Sequence, residues 1–169
     1  MAKILIVDDE APIRALMRAT LTMAGHQVKE AAGGEEALEK IKKEDFDLVV
    51  LDIMMPVTDG YEVLERVKAI PAKAHTPVVV VTAKPYESEG IMREMTAGAI
   101  DHLNKPFDPE DLEIAVSRAL NATEDQLETK RSMMSRGANL YNAMDSMREL
   151  ARTAEPVDAD RSRRSFRRK

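Results

Sequence analysis

The sequence contains no cysteine and no tryptophan, and aromatic residues make up only 4% of its 169 residues. Without cysteine, disulfide bonds and thiolate metal sites are excluded, and nothing points to an oxidising compartment. With so few aromatic rings, the core must rest on Val, Ile, Leu, Met and Ala. The first apolar run ends at Asp8, too early for a signal peptide, and no long apolar run follows it. A soluble, cytoplasmic protein is therefore expected.

Charge is distributed unevenly along the chain. The formal net charge of -5 divides into -8 for residues 1–120, -3 for residues 121–160 and +6 for residues 161–169. An acidic body with a short basic tail differs from a uniformly basic nucleic-acid binder. The length suits one domain of about 100–150 residues followed by an extension.

The first 120 residues alternate strand-like and helix-like segments. Apolar and β-branched runs predict five strands, at 3–7, 27–31, 47–51, 77–82 and 100–103. Helical periodicity predicts helices from Pro12 to Met23, then at 35–43, 61–70 and 87–97, and finally from Pro109 behind an Asp108 cap. Strands separated by helices require crossovers. They therefore predict an α/β doubly wound fold with a parallel sheet.

Polar side chains stand at the ends of four predicted strands. These residues are Asp8, Asp9 and Glu10 after the first strand, Asp52 after the third, Thr82 at the end of the fourth, and Asn104 and Lys105 after the fifth. Ligands bind at the carboxyl ends of strands in open α/β sheets, so we expect these side chains to meet. Clustered carboxylates repel one another, and Mg²⁺ relieves this because it takes oxygen ligands and bridges to phosphate. Beside such a cation, a carboxylate can accept a phosphoryl group whose oxygens a lysine and a threonine contact.

Each of these residues also has a simpler interpretation when it is taken alone. Asp8 and Asp9 suit helix capping, and Asp52 suits a turn before MPVTDG. Thr82 suits the end of a Val-rich strand, and Lys105 suits a solvated surface. Their placement together at successive strand ends is improbable by chance and favours a shared site.

Four segments resemble a known family: ILIVDDE at 4–10, DLVVLDIMMPVTDGYEVL at 47–64, PVVVVTA at 77–83 and GAIDHLNKPF at 98–107. At these spacings the chain resembles the receiver domain of bacterial two-component response regulators, and in particular the chemotaxis-regulator type. The resemblance implies a five-stranded, flavodoxin-like sheet of strand order 2-1-3-4-5 and a role in phosphorelay signal transduction. It also implies that the protein is not an enzyme, beyond self-catalysed phosphoryl acceptance and autodephosphorylation.

The resemblance assigns a role to each residue of the acidic group. Asp52 resembles the residue that accepts a phosphoryl group from a histidine kinase or a histidine phosphotransferase. Asp9 resembles the direct Mg²⁺ ligand, and Asp8 resembles the residue that assists through water. The backbone carbonyl of Met54 resembles a further ligand, beside Asp52 itself.

Three more residues resemble family positions that contact the phosphoryl group or form the switch. Thr82 resembles the switch hydroxyl, and Lys105 resembles the lysine that contacts the phosphoryl group. The Lys105-Pro106 bond is a candidate cis peptide. His102 stands where the family usually carries Tyr or Phe, which leaves two interpretations open. One is coupling of the switch to pH, and the simpler one is an alternative ring without a pH role.

We expect the receiver domain to span residues 1–122 and a helical extension to follow over 123–155. The extension lacks proline and is rich in helix formers, and its apolar residues recur at spacings of four and three from Met133 to Ala154. A helix that folds back on the domain and a helix that forms a homodimer are both compatible with this pattern. A helical hairpin that breaks near Gly137 is a third possibility.

Residues 156–169 are predicted to be a disordered, basic tail that ends in RSRRSFRRK. Such a tail can contact nucleic acid, an anionic membrane or an acidic protein, but a solvated tail is the simpler interpretation.

Three classes of function follow. The leading one is a signalling regulator in which phosphorylation of Asp52 changes a surface for an unknown protein partner. The second is a transcription regulator or nucleic-acid binder that acts through the extension, although 121–169 is short for a known DNA-binding output domain. The third is an aspartate-nucleophile hydrolase, which the DDE after the first strand and the lack of a cap domain disfavour.

Overall fold

A computed structural model describes residues 1–56, 58–83 and 98–122 of the chain. Its strands β1 to β5 are Lys3–Val7, Gln27–Ala31, Leu48–Asp52, Val78–Thr82 and Asp101–Asn104. Its described helices α1 to α4 are Ala11–Met23, Gly34–Lys43, Gly60–Ala69 and Pro109–Leu120. None of these helices is long and apolar enough to cross a membrane. The predicted helix at 87–97, the extension at 123–155 and the tail at 156–169 lie outside the described residues, so the predicted domain boundaries stay predictions.

The five strands form one parallel sheet in the order β2-β1-β3-β4-β5. The predicted fold class and strand order are therefore confirmed. After β2 the chain crosses to the other side of β1, which places the reversal of strand order between β1 and β3. A crevice opens at such a reversal, at the carboxyl ends of the strands.

Two hydrophobic layers cover the sheet. Because alternate strand residues point to opposite faces, Leu5 and Val7 of β1 pack with α2 and α3, whereas Ile4 and Ile6 pack with α1 and α4. All residues of β3 and β4 are buried, which explains their unbroken apolar runs. Burial of each such Val, Leu or Ile side chain contributes about 1.5–3 kcal/mol. The well-packed sheet therefore provides a rigid support for the loops at its carboxyl edge.

Proline, glycine and aspartate residues lie at the ends of α1 and α4. Pro12 lies in the first turn of α1, and Gly25, just beyond its end, has a φ of 84°. That backbone conformation is accessible to glycine but strained for other residues. Pro109 opens α4 behind the N-cap residue Asp108.

β3 extends one residue further than predicted, because it ends at Asp52 and not at Leu51. Asp52 pairs with Val81 of β4, and the N–H of Ile53 donates to the carbonyl of Val81 at 3.1 Å. The sheet hydrogen bonds therefore continue through Asp52, which belongs to the central strand rather than to the following loop.

Candidate functional site

The ammonium of Lys105 lies among three carboxylates at the carboxyl edge of the sheet. Its Nζ is 2.7 Å from Asp52 Oδ2, 2.8 Å from Asp8 Oδ2 and 3.2 Å from Glu10 Oε1. The lysine follows β5, and its backbone N–H donates to the carbonyl of Thr82 at 2.8 Å. Its peptide bond to Pro106 is cis, as predicted. The polar residues that follow β1, β3 and β5 thus meet at the edge to which parallel strands carry their carboxyl ends.

Asp8 and Asp52 are held from two sides. The side chain of Asp8 has no exposed surface and that of Asp52 is 3% exposed. Asp8 Oδ1 accepts the N–H of Glu10 at 2.8 Å, and Asp52 Oδ1 accepts the N–H of Met54 at 2.8 Å. Each carboxylate therefore gives one oxygen to a local turn and the other to Lys105. Asp52 thus combines a hydrogen bond from the following turn with its contact to Lys105, whereas Asp8 does not cap α1, whose N-cap residue is Glu10.

The electrostatic balance of the site favours a bound cation. Burial raises the pKa of Asp8 above its ordinary value, and the nearby charge of Asp52 adds to this, although hydrogen bonds from Lys105 and the backbone oppose it. For Lys105 burial favours the neutral form, but the hydrogen bonds and charges of Asp52 and Asp8 outweigh it and raise the pKa. The ammonium consequently stays charged at neutral pH. One positive charge faces three carboxylates, so the site is left with excess negative charge.

The residues at this edge fit a hard divalent cation. Within the described ranges, Asp8, Glu10 and Asp52 each offer a carboxylate oxygen, and these oxygens lie within 4.8 Å of one another. Mg²⁺ takes such oxygen ligands, and a fully buried carboxylate with a raised pKa is the kind of group that a cation stabilises. The side chain of Asp9 is exposed and is not among this group. Its assignment as the direct Mg²⁺ ligand stays a prediction.

The residues of the predicted switch lie on the neighbouring strands. Thr82 is 2% exposed at the end of β4, and it is in register with Asn104 of β5. His102 is half-buried and in register with Val80. Because alternate residues share a face, Thr82 and His102 lie on the same face of adjacent strands. Their roles in the switch stay predictions.

Three residues of the site had no role assigned to them from the sequence. Glu10 follows the two predicted aspartates and reaches Lys105, and Arg14 Nη1 donates to the carbonyl of Asp8 at 2.7 Å. Gly60, at the start of α3, packs directly on β3: an added Cβ would lie 2.3 Å from the Asp52 carbonyl oxygen. The third acid of the DDE run and the glycine of TDG were visible in the sequence, but their contacts depend on the fold.

The fold and the site define a class of protein: a doubly wound α/β domain with buried aspartates and a lysine at the switch point of its sheet. A family model described as "Response regulator receiver domain" matches residues 4–117. The chain therefore belongs to the response regulator receiver family, which is a family of phosphorelay signalling proteins. The family predicted from the motifs is confirmed.

Similar proteins agree with this assignment. The chain is 40% identical over 118 residues to the transcriptional regulatory protein ResD of Bacillus subtilis, a match that covers 70% of this chain and 48% of ResD. It is 38% identical over 122 residues to the alkaline phosphatase synthesis transcriptional regulatory protein PhoP of the same organism, covering 72% of this chain and 50% of PhoP. The chain thus spans about half the length of these curated relatives.

Among solved structures, the chemotaxis response regulator CheY4 of Vibrio cholerae matches with a TM-score of 0.67 and 38% identity. That match covers 70% of this chain and 98% of CheY4. The BeF3-activated receiver domain of DrrB matches with a TM-score of 0.63 and 35% identity, covering 71% of this chain and 97% of that domain.

Proposed function

We propose that this chain accepts a phosphoryl group on Asp52, in a Mg²⁺-dependent reaction, from the phosphohistidine of a histidine kinase or a histidine phosphotransferase. The observation that carries the proposal is the buried arrangement in which Lys105 Nζ joins Asp52 Oδ2 and Asp8 Oδ2 at 2.7 and 2.8 Å. A nucleophilic carboxylate next to a charged lysine, at an acidic edge, suits transfer of a phosphoryl group.

The phosphoryl group is transferred in a single displacement step. A carboxylate oxygen of Asp52 attacks phosphorus, the new P–O bond forms as the P–N bond breaks, and the electron pair stays on the imidazole nitrogen of the donor. Lys105 and the hydroxyl of Thr82 contact the phosphoryl oxygens and offset their charge. Asp8, Asp9, Asp52 and the Met54 carbonyl would hold Mg²⁺, which when bound would offset further charge on those oxygens. Later attack of water on the acyl phosphate returns the free carboxylate, and this autodephosphorylation is the only hydrolysis that we propose.

Phosphorylation of Asp52 then changes a surface to which a partner protein binds. We propose that Thr82 and His102 couple the phosphoryl group to this change, which shifts a two-state equilibrium toward the form that binds an output protein. Homodimer formation, a cytoplasmic location, and contact of the basic tail at 161–169 with nucleic acid or membrane stay predictions.

A role in transcription is the second candidate. ResD and PhoP are named as transcriptional regulatory proteins, and the match covers about half of each. Transcriptional output from a protein that contains this receiver domain is therefore a proposal drawn from these relatives.

The test is binding of beryllofluoride, a phosphoryl mimic, with and without Mg²⁺, together with phosphoryl transfer from a phosphorylated histidine phosphotransferase. We expect both in the wild type with Mg²⁺ and neither in Asp52→Asn. Equal signals from the two proteins would exclude Asp52 as the acceptor. Steady turnover of a phosphate ester by the purified chain would instead support the hydrolase.

A further inference from the structure

The Lys105 ammonium donates hydrogen bonds to two carboxylates, those of Asp52 and Glu10, and forms an ion pair with a third, that of Asp8. A lysine ammonium has three N–H groups, and here three oxygens surround it, from Asp52, Asp8 and Glu10, at 2.7, 2.8 and 3.2 Å. A phosphoryl oxygen that binds Lys105 therefore competes with these carboxylates for the ammonium.

Glu10 is the partner that exchanges most readily. Its contact is the longest of the three, and its side chain is 58% exposed, against 0% for Asp8 and 3% for Asp52. The two aspartates are also fixed by backbone N–H groups on their other oxygens. An exposed carboxylate that turns away recovers its hydration from water, whereas a buried one does not.

We propose that Glu10 is a positioning residue that acts through Lys105. Its carboxylate accepts one N–H of the ammonium until a phosphoryl oxygen takes that place. Glu10 therefore competes with the phosphoryl group for Lys105. This inference rests on the proposed function, because it assumes that Lys105 contacts a phosphoryl group bound at Asp52.

The Glu10 carboxylate has the opposite effect on the binding of a divalent cation, which it favours. Its oxygen lies within 4.8 Å of the oxygens of Asp8 and Asp52. A third negative charge at that separation attracts a cation while it repels a phosphoryl group. Removing the charge of Glu10 should consequently weaken the binding of Mg²⁺ and strengthen the binding of a phosphoryl mimic. A residue with only a structural role would move both affinities in one direction or neither.

Two variants separate charge from contact. Glu10→Gln removes the charge, and we expect Mg²⁺ to bind about three- to tenfold more weakly. Beryllofluoride at saturating Mg²⁺ should bind about two- to fivefold more tightly, as the loss of an exposed ion pair allows. Glu10→Asp keeps the charge on a shorter side chain that does not reach Lys105. It should keep the Mg²⁺ affinity near that of the wild type but still bind beryllofluoride more tightly.

Both affinities are measured by calorimetry on the full chain. The control is Glu113→Gln, which removes the same charge from an exposed position of α4 and should change neither affinity. Unchanged or weaker beryllofluoride binding by Glu10→Gln, or wild-type beryllofluoride binding by Glu10→Asp, would overturn the inference alone. If the wild type itself shows no beryllofluoride binding that depends on Asp52, the proposed function fails as well.

Discussion

Replacement of Lys105 by Met tests whether the lysine holds the acidic edge together. The change removes the ammonium but keeps a side chain of similar length. It leaves Asp8 and Asp52 buried, with exposed fractions of 0% and 3%, and without the cation that lies 2.8 and 2.7 Å from them. Removal of one partner from a buried ion pair typically costs about 3–5 kcal/mol. Because small domains have about 5–15 kcal/mol of stability, the variant should be strongly destabilised at pH 7 without divalent cations.

Asp8→Asn should recover much of this loss. The pKa of Asp8 is raised in the folded protein, so its ionised form is disfavoured by folding. Such a group stabilises the fold only below its unfolded pKa, and this contribution is lost as the pH rises through its folded pKa. At pH 7, Asn removes that penalty. Asp8→Asn alone should therefore be neutral or stabilising, and it should reduce the cost of Lys105→Met.

The assay is urea unfolding followed by circular dichroism, in buffer with a chelator, for the wild type, both single variants and the double variant. Lys29→Met is the matched control, because Lys29 also lies 2.7 Å from a carboxylate, that of Glu44, but is 48% exposed. It should lose far less stability. If Lys105→Met loses no more than this control, or if Asp8→Asn deepens the loss, the electrostatic account of the site is wrong.

Further predictions concern packing, pH and metal. Gly60→Ala should lower the free energy of unfolding by about 1–3 kcal/mol, because its Cβ would lie 2.3 Å from the Asp52 carbonyl oxygen, and backbone must shift. Gly33→Ala is the control, since a Cβ there meets nothing within 4 Å, and chemical denaturation should show a much smaller change. The hydrogen bonds of Lys29 and then Lys3 lower the pKa of Glu44 from 4.5 to about 2, so its stabilisation is complete above pH 4.5 and disappears as the pH falls to about 2. Thermal melts of wild type and Glu44→Gln should therefore differ at pH 6 and converge near pH 2, and a constant difference would contradict this. Mg²⁺ should raise the melting temperature of the wild type but not that of Asp8→Asn, whereas an equal rise in both would exclude Asp8 from the cation site.

The strands could be predicted well because each one is marked by a short run of neighbouring residues in the sequence. The bounds of β1 and β2 were predicted to the residue, since short apolar or alternating runs there are interrupted by Asp8 and by Gly33. The end of β3 was missed by one residue, because the hydrogen bonds that include Asp52 come from β4.

The types of residue at the candidate site could be predicted from the sequence, but the contacts between their side chains could not. Polar residues at strand ends indicated which groups meet, because parallel strands carry their ends to one edge. The pairing of Lys105 with Glu10 joins residues that are 95 positions apart, so no local pattern reveals it. The fit of Gly60 against the Asp52 carbonyl likewise appears only when α3 is placed on the sheet.

The position of β3 also determines where the protein can move. β3 is the middle strand of five, with a neighbour on each side and every residue buried. Amide protons in such a strand exchange with solvent only through opening of much of the fold, so Asp52 belongs to the slowest part of the molecule. We therefore expect the proposed chemistry at Asp52 to take place on a rigid strand, so that the proposed structural response involves groups outside β3, of which the exposed Glu10 carboxylate is one.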